Sequence, residues 1–267
     1  MLNRIQKKFN ELKKNKQKAL ILYLMAGDLP FKKNEQLILD FEKEGADLIE
    51  LGVPFSDPLA DGPVIQAAGQ RSLANGTNLK KILQLVKNVR KKSGIPLVLM
   101  TYLNPVWHYG VARFARDARK AGVDGLIVPD LPTEEGGVIA SVMKRYGLDL
   151  VYLLAPTSSA ARQRSVAKKS KGFVYYVSLT GVTGVRTNLA RGLSAQIRAA
   201  KRASSLPVCV GFGVSKPAQA REVARTADGV IIGTAVVRAL HENRTLSPAK
   251  LARKIVRPFA LALGKRR

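Results

Sequence analysis

Gly125-Leu-Ile-Val128-Pro-Asp130-Leu-Pro132-Thr-Glu-Glu-Gly-Gly-Val-Ile139-Ala-Ser-Val142-Met143-Lys-Arg-Tyr146-Gly-Leu-Asp149-Leu-Val-Tyr-Leu-Leu154 holds one whole unit of this chain's organisation. A short β-prone apolar run, 125–128, ends in a loop stiffened by two prolines. Ile139, Val142, Met143 and Tyr146 then recur at i, i+3, i+4 and i+7, the spacing of one helical face. A second apolar run follows at 149–154. Strand, helix and strand in that order call for parallel strands joined by a right-handed crossover.

The unit repeats in both directions. Candidate strands fall at 20–25, 47–51, 96–101, 125–128, 149–154, 173–177, 207–210 and 229–232. Between them, Ile82, Leu85, Val86 and Val89 form one helical stripe, with Lys80, Lys81, Lys87, Arg90 and Lys91 largely filling the other face. Val111, Phe114, Ala115 and Ala118 form another, with Arg113, Arg116 and Arg119 pointing away. The stretches 189–203, 217–226, 234–241 and 248–263 are also helix-like, and Pro258 is expected to kink or break the last. Ahead of the first strand, Leu2, Ile5, Phe9 and Leu12 share a face, which predicts an amphipathic helix over 2–14. Eight β/α units in about 250 residues is the count of a closed (β/α)8 TIM barrel, with that helix as an extra. An open doubly wound sheet is the alternative. It usually has fewer strands, and no G-x-G-x-x-G follows the first strand here. No linker or low-complexity tract divides residues 1–267, so one domain is expected, with 1–18 as a basic lead-in.

Composition narrows the function classes. The chain has 267 residues and is 46% hydrophobic, which argues against wholesale disorder. Its single cysteine, Cys209, makes neither an intrachain disulfide nor a cysteine-rich metal site. Apolar runs such as 19–26 are far shorter than the roughly 20 residues of a membrane span. The basic start is long for the head of a signal peptide and lacks a convincing cleavage site, so a cytoplasmic location is expected. The net charge of +26 is uneven. Residues 1–18 carry seven basic residues and one acidic, and 248–267 carry seven basic and none acidic. Residues 19–63 reverse this, with three basic and nine acidic. A basic excess is compatible with nucleic acid, an anionic surface, an anionic substrate or a solvated lysine-rich exterior. The basic residues lie mainly on helix faces without interleaved aromatics, which argues against a platform for stacking bases.

Chemistry concentrates after the second strand: Asp47-Leu-Ile-Glu50-Leu-Gly-Val-Pro54-Phe-Ser-Asp57-Pro58-Leu-Ala-Asp61-Gly62-Pro63. Four carboxylates sit here without a basic residue. Glu50, beside Ile49 and Leu51, is placed to have its neutral form favoured, as suits a general acid or base. The alternative is a glutamate satisfied by backbone or a partner side chain. The prolines should hold the loop's acids in place. Glycines cluster after three later strands, at Gly181 and Gly184, at Gly211 and Gly213, and at Gly233 beside Thr234. Loops after strands seven and eight, with a helix N-terminus, form the usual phosphate cradle of a TIM barrel. Asp130, Asn104 and Tyr175 each have two readings, site or support. His108 and His241 lack metal-ligand spacing, and Cys209 reads as inert core. None of the eight strands contains a lysine, against a Schiff-base aldolase; another sugar-phosphate barrel enzyme stays open.

Glu50 and the run from Leu51 to Gln66 (LGVPFSDPLADGPVIQ) together resemble the signature of the tryptophan synthase alpha chain family. Ala26-Gly-Asp28, Met100-Thr-Tyr-Leu-Asn-Pro105, Pro129-Asp-Leu-Pro132, Leu154-Ala-Pro-Thr157, Val177-Ser-Leu-Thr-Gly-Val-Thr-Gly184 and Val210-Gly-Phe-Gly-Val-Ser215 follow in the family's order, over roughly 19–240. The resemblance implies a TIM-barrel lyase that cleaves indole-3-glycerol phosphate to indole and glyceraldehyde 3-phosphate. It implies Glu50 as the acid/base and Asp61 as the carboxylate that accepts the indole N–H. Tyr23, Met100 and Ile127 would wall the indole, with Tyr175 beside the site. Thr183, Gly184, Phe212, Gly213, Gly233 and Thr234 complete the implied substrate contacts, the glycines and Thr234 at the phosphate. The implied lid runs from 179 to about 189. No metal or organic cofactor is implied for this chain; pyridoxal phosphate belongs to a partner beta chain, met through the 53–61 loop in an alpha2-beta2 assembly. Thr234 for serine, Met25 for threonine and the Gly27-Asp28-Leu29-Pro30 turn depart from the family pattern. The basic tract between Glu135 and Glu222 is expected either to attract the phosphorylated substrate or to be plain solvated surface.

Overall fold

The computed structural model describes residues 3–177, 188–211 and 213–265, with the backbone alone over 188–191. Nine parallel strands form one sheet: β1 Ala19–Met25, β2 Leu48–Gly52, β3 Leu97–Met100, β4 Gly125–Ile127, β5 Asp149–Val151, β6 Leu153–Leu154, β7 Val174–Val177, β8 Val208–Gly211 and β9 Gly229–Ile232. Their order is β5-β4-β3-β2-β1-β9-β8-β7-β6. The two end members are consecutive in the chain, so the ring closes through residue 152.

The run expected as one strand, 149–154, is thus two. β5 pairs with β4, Gly125 opposite Asp149, and β6 pairs with β7, Leu153 opposite Tyr175. Between them the Tyr152 N–H donates to the Ser170 hydroxyl at 3.2 Å rather than along the ladder. Side-chain alternation along the strands produces two cores. Ile21, Tyr23, Leu48, Val98, Met100, Ile127, Tyr175, Cys209 and Ile231 fill the barrel. Leu20, Leu22, Ile49, Leu51, Leu97, Leu126, Val174 and Val210 face the helices.

The helices are α1 Arg4–Lys14, α2 Phe31–Lys43, α3 Pro63–Ala74, α4 Leu79–Arg90, α5 Leu103–Tyr109, α6 Val111–Ala121, α7 Gly137–Arg145, α8 Ala160–Lys169, α9 Asn188–Ala203, α10 Pro217–Ala224, α11 Thr234–Glu242 and α12 Pro248–Ala262. Periodicity does not foretell α8, in which Val166 alone is buried. Helix α12 runs through Pro258, so of the kink or break expected there the break does not occur. Its buried face, from Leu251 and Ile255 to Phe259 and Ala262, spans the proline, so packing outweighs the lost hydrogen bond.

Helix α1 lies at the N-terminal end of the strands. Asn3 caps it, and Ile5, Phe9 and Leu12 are buried in the barrel floor, the Phe9 ring 5.9 Å from that of Phe173. Three aspartates there serve the starts of neighbouring strands. Asp47, Asp124 and Asp228 accept from the backbone N–H groups of Leu20, Leu97 and Val208 at 2.7, 2.9 and 3.0 Å. Each is met by cations: Asp47 by Lys265, Asp124 by Arg4 and Arg90, and Asp228 by Lys201 and Lys18. Arg4, Lys18 and Lys265 belong to the basic ends, so part of that charge closes the bottom of the barrel.

Candidate active site

The opposite end of the barrel opens into a cavity of about 950 Å3. Tyr23, Glu50, Asp61, Met100, Tyr175, Gly213, Gly233 and Thr234 all line it. These come from the ends or following loops of β1, β2, β3, β7, β8 and β9, where the fold places catalytic groups. Asp47, at the start of the same acidic segment, lies at the barrel floor. Ile127 is fully buried in the inner core and does not line the cavity. Thr183, Gly184 and Phe212 lie outside the described residues, as does the expected lid except its last two positions.

Glu50 sits on β2 between Tyr23 of β1 and Val98 of β3 in the ladder. Strand alternation turns Ile49 and Leu51 outward to the helices, so what encloses Glu50 is the barrel interior. Its exposure is 0%, and neither carboxylate oxygen has a hydrogen-bond partner among the described residues. Burial raises its carboxyl to about 8. Glu50 is therefore a neutral acid at pH 7, lining a cavity, with no group among the described residues to satisfy it.

Asp61 lies across the cavity on the loop that ends at Pro63, the first residue of α3. Burial raises its carboxyl to about 6, and a hydrogen bond from Tyr102 opposes the rise. At pH 7 Asp61 is mainly ionised while Glu50 is mainly protonated. Two carboxylates of one cavity are thus pushed into opposite states, the pattern that separates an acid from an electrostatic partner. Of the loop's other acids, Asp57 is exposed, so the prolines do not hold every carboxylate of the loop in the site.

Tyr23 and Tyr175 are buried, and burial with the nearby carboxylates keeps both phenols neutral. Their hydroxyls lie over strand glycines. A Cβ at Gly52 would stand 2.1 Å from the Tyr23 oxygen, and one at Gly211 would stand 2.4 Å from that of Tyr175. Met25, one of the departures from the family pattern, accepts a hydrogen bond from the Tyr23 hydroxyl through its sulfur at 3.9 Å.

The far end of the cavity suits an anion. Gly213 has φ +81°, a conformation that favours glycine. Helix α11 begins at Thr234 after Gly233, and among the described residues no side chain caps its first N–H groups. In contrast, Gln219 of α10 accepts from the N–H groups of Ser215 and Lys216 at 3.0 Å each. Lys216 and Arg238 also line the cavity, and neither forms an ion pair among the described residues. Their roles carry no sequence motif; Arg238 follows Thr234 by four residues and so shares its helix face.

Other candidates resolve as supports. Asp130 accepts from the Leu103 N–H at 3.0 and 3.2 Å and braces the start of α5. Asn104, His108 and His241 are exposed and do not line the cavity. Cys209 is a buried free thiol. Among the described residues no group of three or more His, Cys, Asp or Glu is placed to hold a metal ion. Sequence reasoning missed Tyr102, a buried residue just after β3 whose hydroxyl accepts from the Ala60 N–H at 2.9 Å.

A family profile described as "Tryptophan synthase alpha chain" matches residues 9–262. The chain is 51% identical over 241 residues to the tryptophan synthase alpha chain of Geotalea daltonii, covering 90% of this chain and 91% of that one. It is 48% identical over 254 residues to that of Geobacter sulfurreducens, covering 95% of each. Among solved structures, tryptophan synthase subunit alpha from Legionella pneumophila superposes with a TM-score of 0.93 at 38% identity, covering 100% of both chains. A chain of tryptophan synthase from Mycobacterium tuberculosis superposes with a TM-score of 0.88 at 36% identity, covering 98% of this chain and 99% of that one. This chain belongs to the tryptophan synthase alpha chain family.

Proposed function

We propose that this alpha chain cleaves indole-3-glycerol phosphate to indole and glyceraldehyde 3-phosphate with Glu50 and Asp61 as its two working carboxylates. The observation that carries the reading is the pair itself: a buried Glu50 without a partner among the described residues, held neutral, and an ionised Asp61 lining the same cavity. The substrate's indole lies among Tyr23, Met100 and Tyr175, its N–H donating to Asp61. Protonated Glu50 delivers its proton to indole C3. Positive charge then develops on the indole nitrogen, and the Asp61 carboxylate stabilises it. The bond from C3 to the glycerol carbon breaks, and its electron pair returns to the ring. The proton of the adjacent side-chain hydroxyl passes to the Glu50 carboxylate as the aldehyde forms, which restores the acid. The phosphate rests at Gly213, Gly233 and Thr234 on the uncapped N-terminus of α11, with Thr183, Gly184 and Phe212 completing the site. Lys216 and Arg238 supply the positive field that draws the phosphate in.

The partner reading rests on the family. Loop 53–61 ends beside the cavity and presents Leu59, which is 92% exposed, and Trp107 on the next βα segment is 57% exposed. A beta chain covering this face, in an alpha2-beta2 assembly, would receive the indole and supply the pyridoxal phosphate; the alpha chain works without a cofactor of its own. No described helix is long and apolar enough to cross a membrane. We read residues 1–267 as one domain acting in the cytoplasm. The test is the purified chain with indole-3-glycerol phosphate, alone and with a beta chain. Indole and glyceraldehyde 3-phosphate in equal amounts, faster with the partner, are expected. Isomerisation of the sugar phosphate without indole would replace this reading with that of another phosphate-binding barrel.

A further inference from the structure

The second and third βα loops meet at one hydroxyl. Tyr102 follows β3 and precedes α5, is 4% exposed, and packs its ring on Phe55 with centroids 5.3 Å apart. Its oxygen accepts from the Ala60 N–H at 2.9 Å, which leaves its own proton for the neighbouring Asp61 carboxylate, whose ionised form it favours. One residue therefore grips the backbone just before Asp61 and acts on the side chain of Asp61 itself. The third loop is in turn tied to the fourth, where Asp130 accepts from the Leu103 N–H at 3.0 Å. The Asp61 backbone is held as well, its N–H on the Pro58 carbonyl at 3.2 Å and its carbonyl by the Gln66 amide at 2.9 Å, but neither contact reaches the carboxylate.

We propose that Tyr102 is a positioning residue for the reaction: it aims the Asp61 carboxylate at the substrate's indole N–H and holds it ionised. This rests on the role assigned to Asp61 above. A hydrogen bond to a charged group is stronger than one between neutral groups, so the phenol favours the carboxylate over the carboxylic acid. Lys216, Arg238 and Glu242 line the same cavity; among the described residues, the titratable groups that share the barrel interior with Asp61 are Tyr23 on β1, Glu50 on β2 and Tyr175 on β7. The two phenols stay neutral, and Glu50 stays protonated until about 8, so none of them charges over the range where Asp61 ionises.

Tyr102→Phe keeps the ring on Phe55 and deletes the hydroxyl alone. The readouts are the kcat/KM pH profile for indole release, kcat and KM on its plateau, and the same substitution in Asp61→Asn. The proposal expects the acidic limb to move up by about one pH unit, roughly the strength of one charge-assisted hydrogen bond. It expects kcat to fall with KM nearly unchanged, because Asp61 acts on charge that appears only in the transition state. In Asp61→Asn the added Tyr102→Phe should cost less than about twofold, since the shared target is gone. A carboxyl 13C shift for Asp61 that titrates about one pH unit higher in Tyr102→Phe makes the same point without turnover. An acidic limb left in place, an equal loss at every pH, or a further tenfold loss in Asp61→Asn would each overturn the proposal. Full activity in Asp61→Asn alone would instead overturn the reading of Asp61, and this one with it.

Discussion

Replacing Glu50 by glutamine should stabilise the fold, by an amount that grows as pH rises from about 4.5 to about 8. The carboxyl is fully buried, has no partner among the described residues and is raised from 4.5 to about 8. The folded state therefore holds a proton that the unfolded chain releases above its ordinary value. The sign follows: between about 4.5 and 8 the folded state binds more protons, so stability falls as pH rises through that window. At 1.36 kcal/mol per pH unit the displacement amounts to about 5 kcal/mol once the pH is above both values. Glutamine matches the neutral acid in shape and stays uncharged, so Glu50→Gln escapes this loss. Urea unfolding of both proteins at pH 4.5 and pH 8.5 reads it. At pH 4.5 the two should agree within about 1 kcal/mol, and at pH 8.5 the variant should be more stable by several kcal/mol. The rest of the protein titrates alike in both, so the change in the difference belongs to Glu50. A difference that does not vary with pH would refute the claim that Glu50 is held neutral by burial.

Three further outcomes follow from the same geometry. The kcat/KM for indole release should be bell-shaped, rising as Asp61 ionises near 6 and falling as Glu50 ionises near 8; a profile flat from pH 5 to 9 would contradict the assignment. Asp124→Ala should cost about 3–5 kcal/mol in urea unfolding, because it leaves the Arg90 guanidinium and the Leu97 N–H without their buried partner. Pro258→Ala should raise stability by about 1–3 kcal/mol with indole release unchanged, since the exposed proline interrupts a helix that continues past it.

The barrel was legible because its signals are local. A period of two in the strands and of 3.6 in the helices follows from burying one face of each element, and the eight apolar runs occupy eight barrel positions. The fifth run breaks at Tyr152 because the Ser170 hydroxyl takes its N–H, a contact eighteen residues away that no local pattern contains. Pro258 does not end α12 for a related reason: its local cost is real, and the tertiary face of the helix overrides it. Glu50 was visible as a carboxyl among apolar residues, though Ile49 and Leu51 face away and Tyr23, Met100 and Tyr175 do the enclosing. The glycines of the anion end were visible because their position after β8 and β9 is a property of the fold. Tyr102 was not visible: it reads as one more aromatic after a strand, and its function exists only where two loops meet. The charge of +26 also reads differently in three dimensions. Arg4, Lys18 and Lys265 serve buried or half-buried aspartates beneath the barrel, and Lys216 and Arg238 face the cavity.

Indole release from indole-3-glycerol phosphate by Glu50→Gln and by Asp61→Asn, each checked for native folding, tests the central claim most directly. General acid–base help from Glu50 and electrostatic stabilisation from Asp61 each contribute about 100-fold or more, so each variant should lose at least that much in kcat while remaining folded. Folded variants that both release indole within a few-fold of the unsubstituted chain would show that the two carboxylates do not carry the reaction.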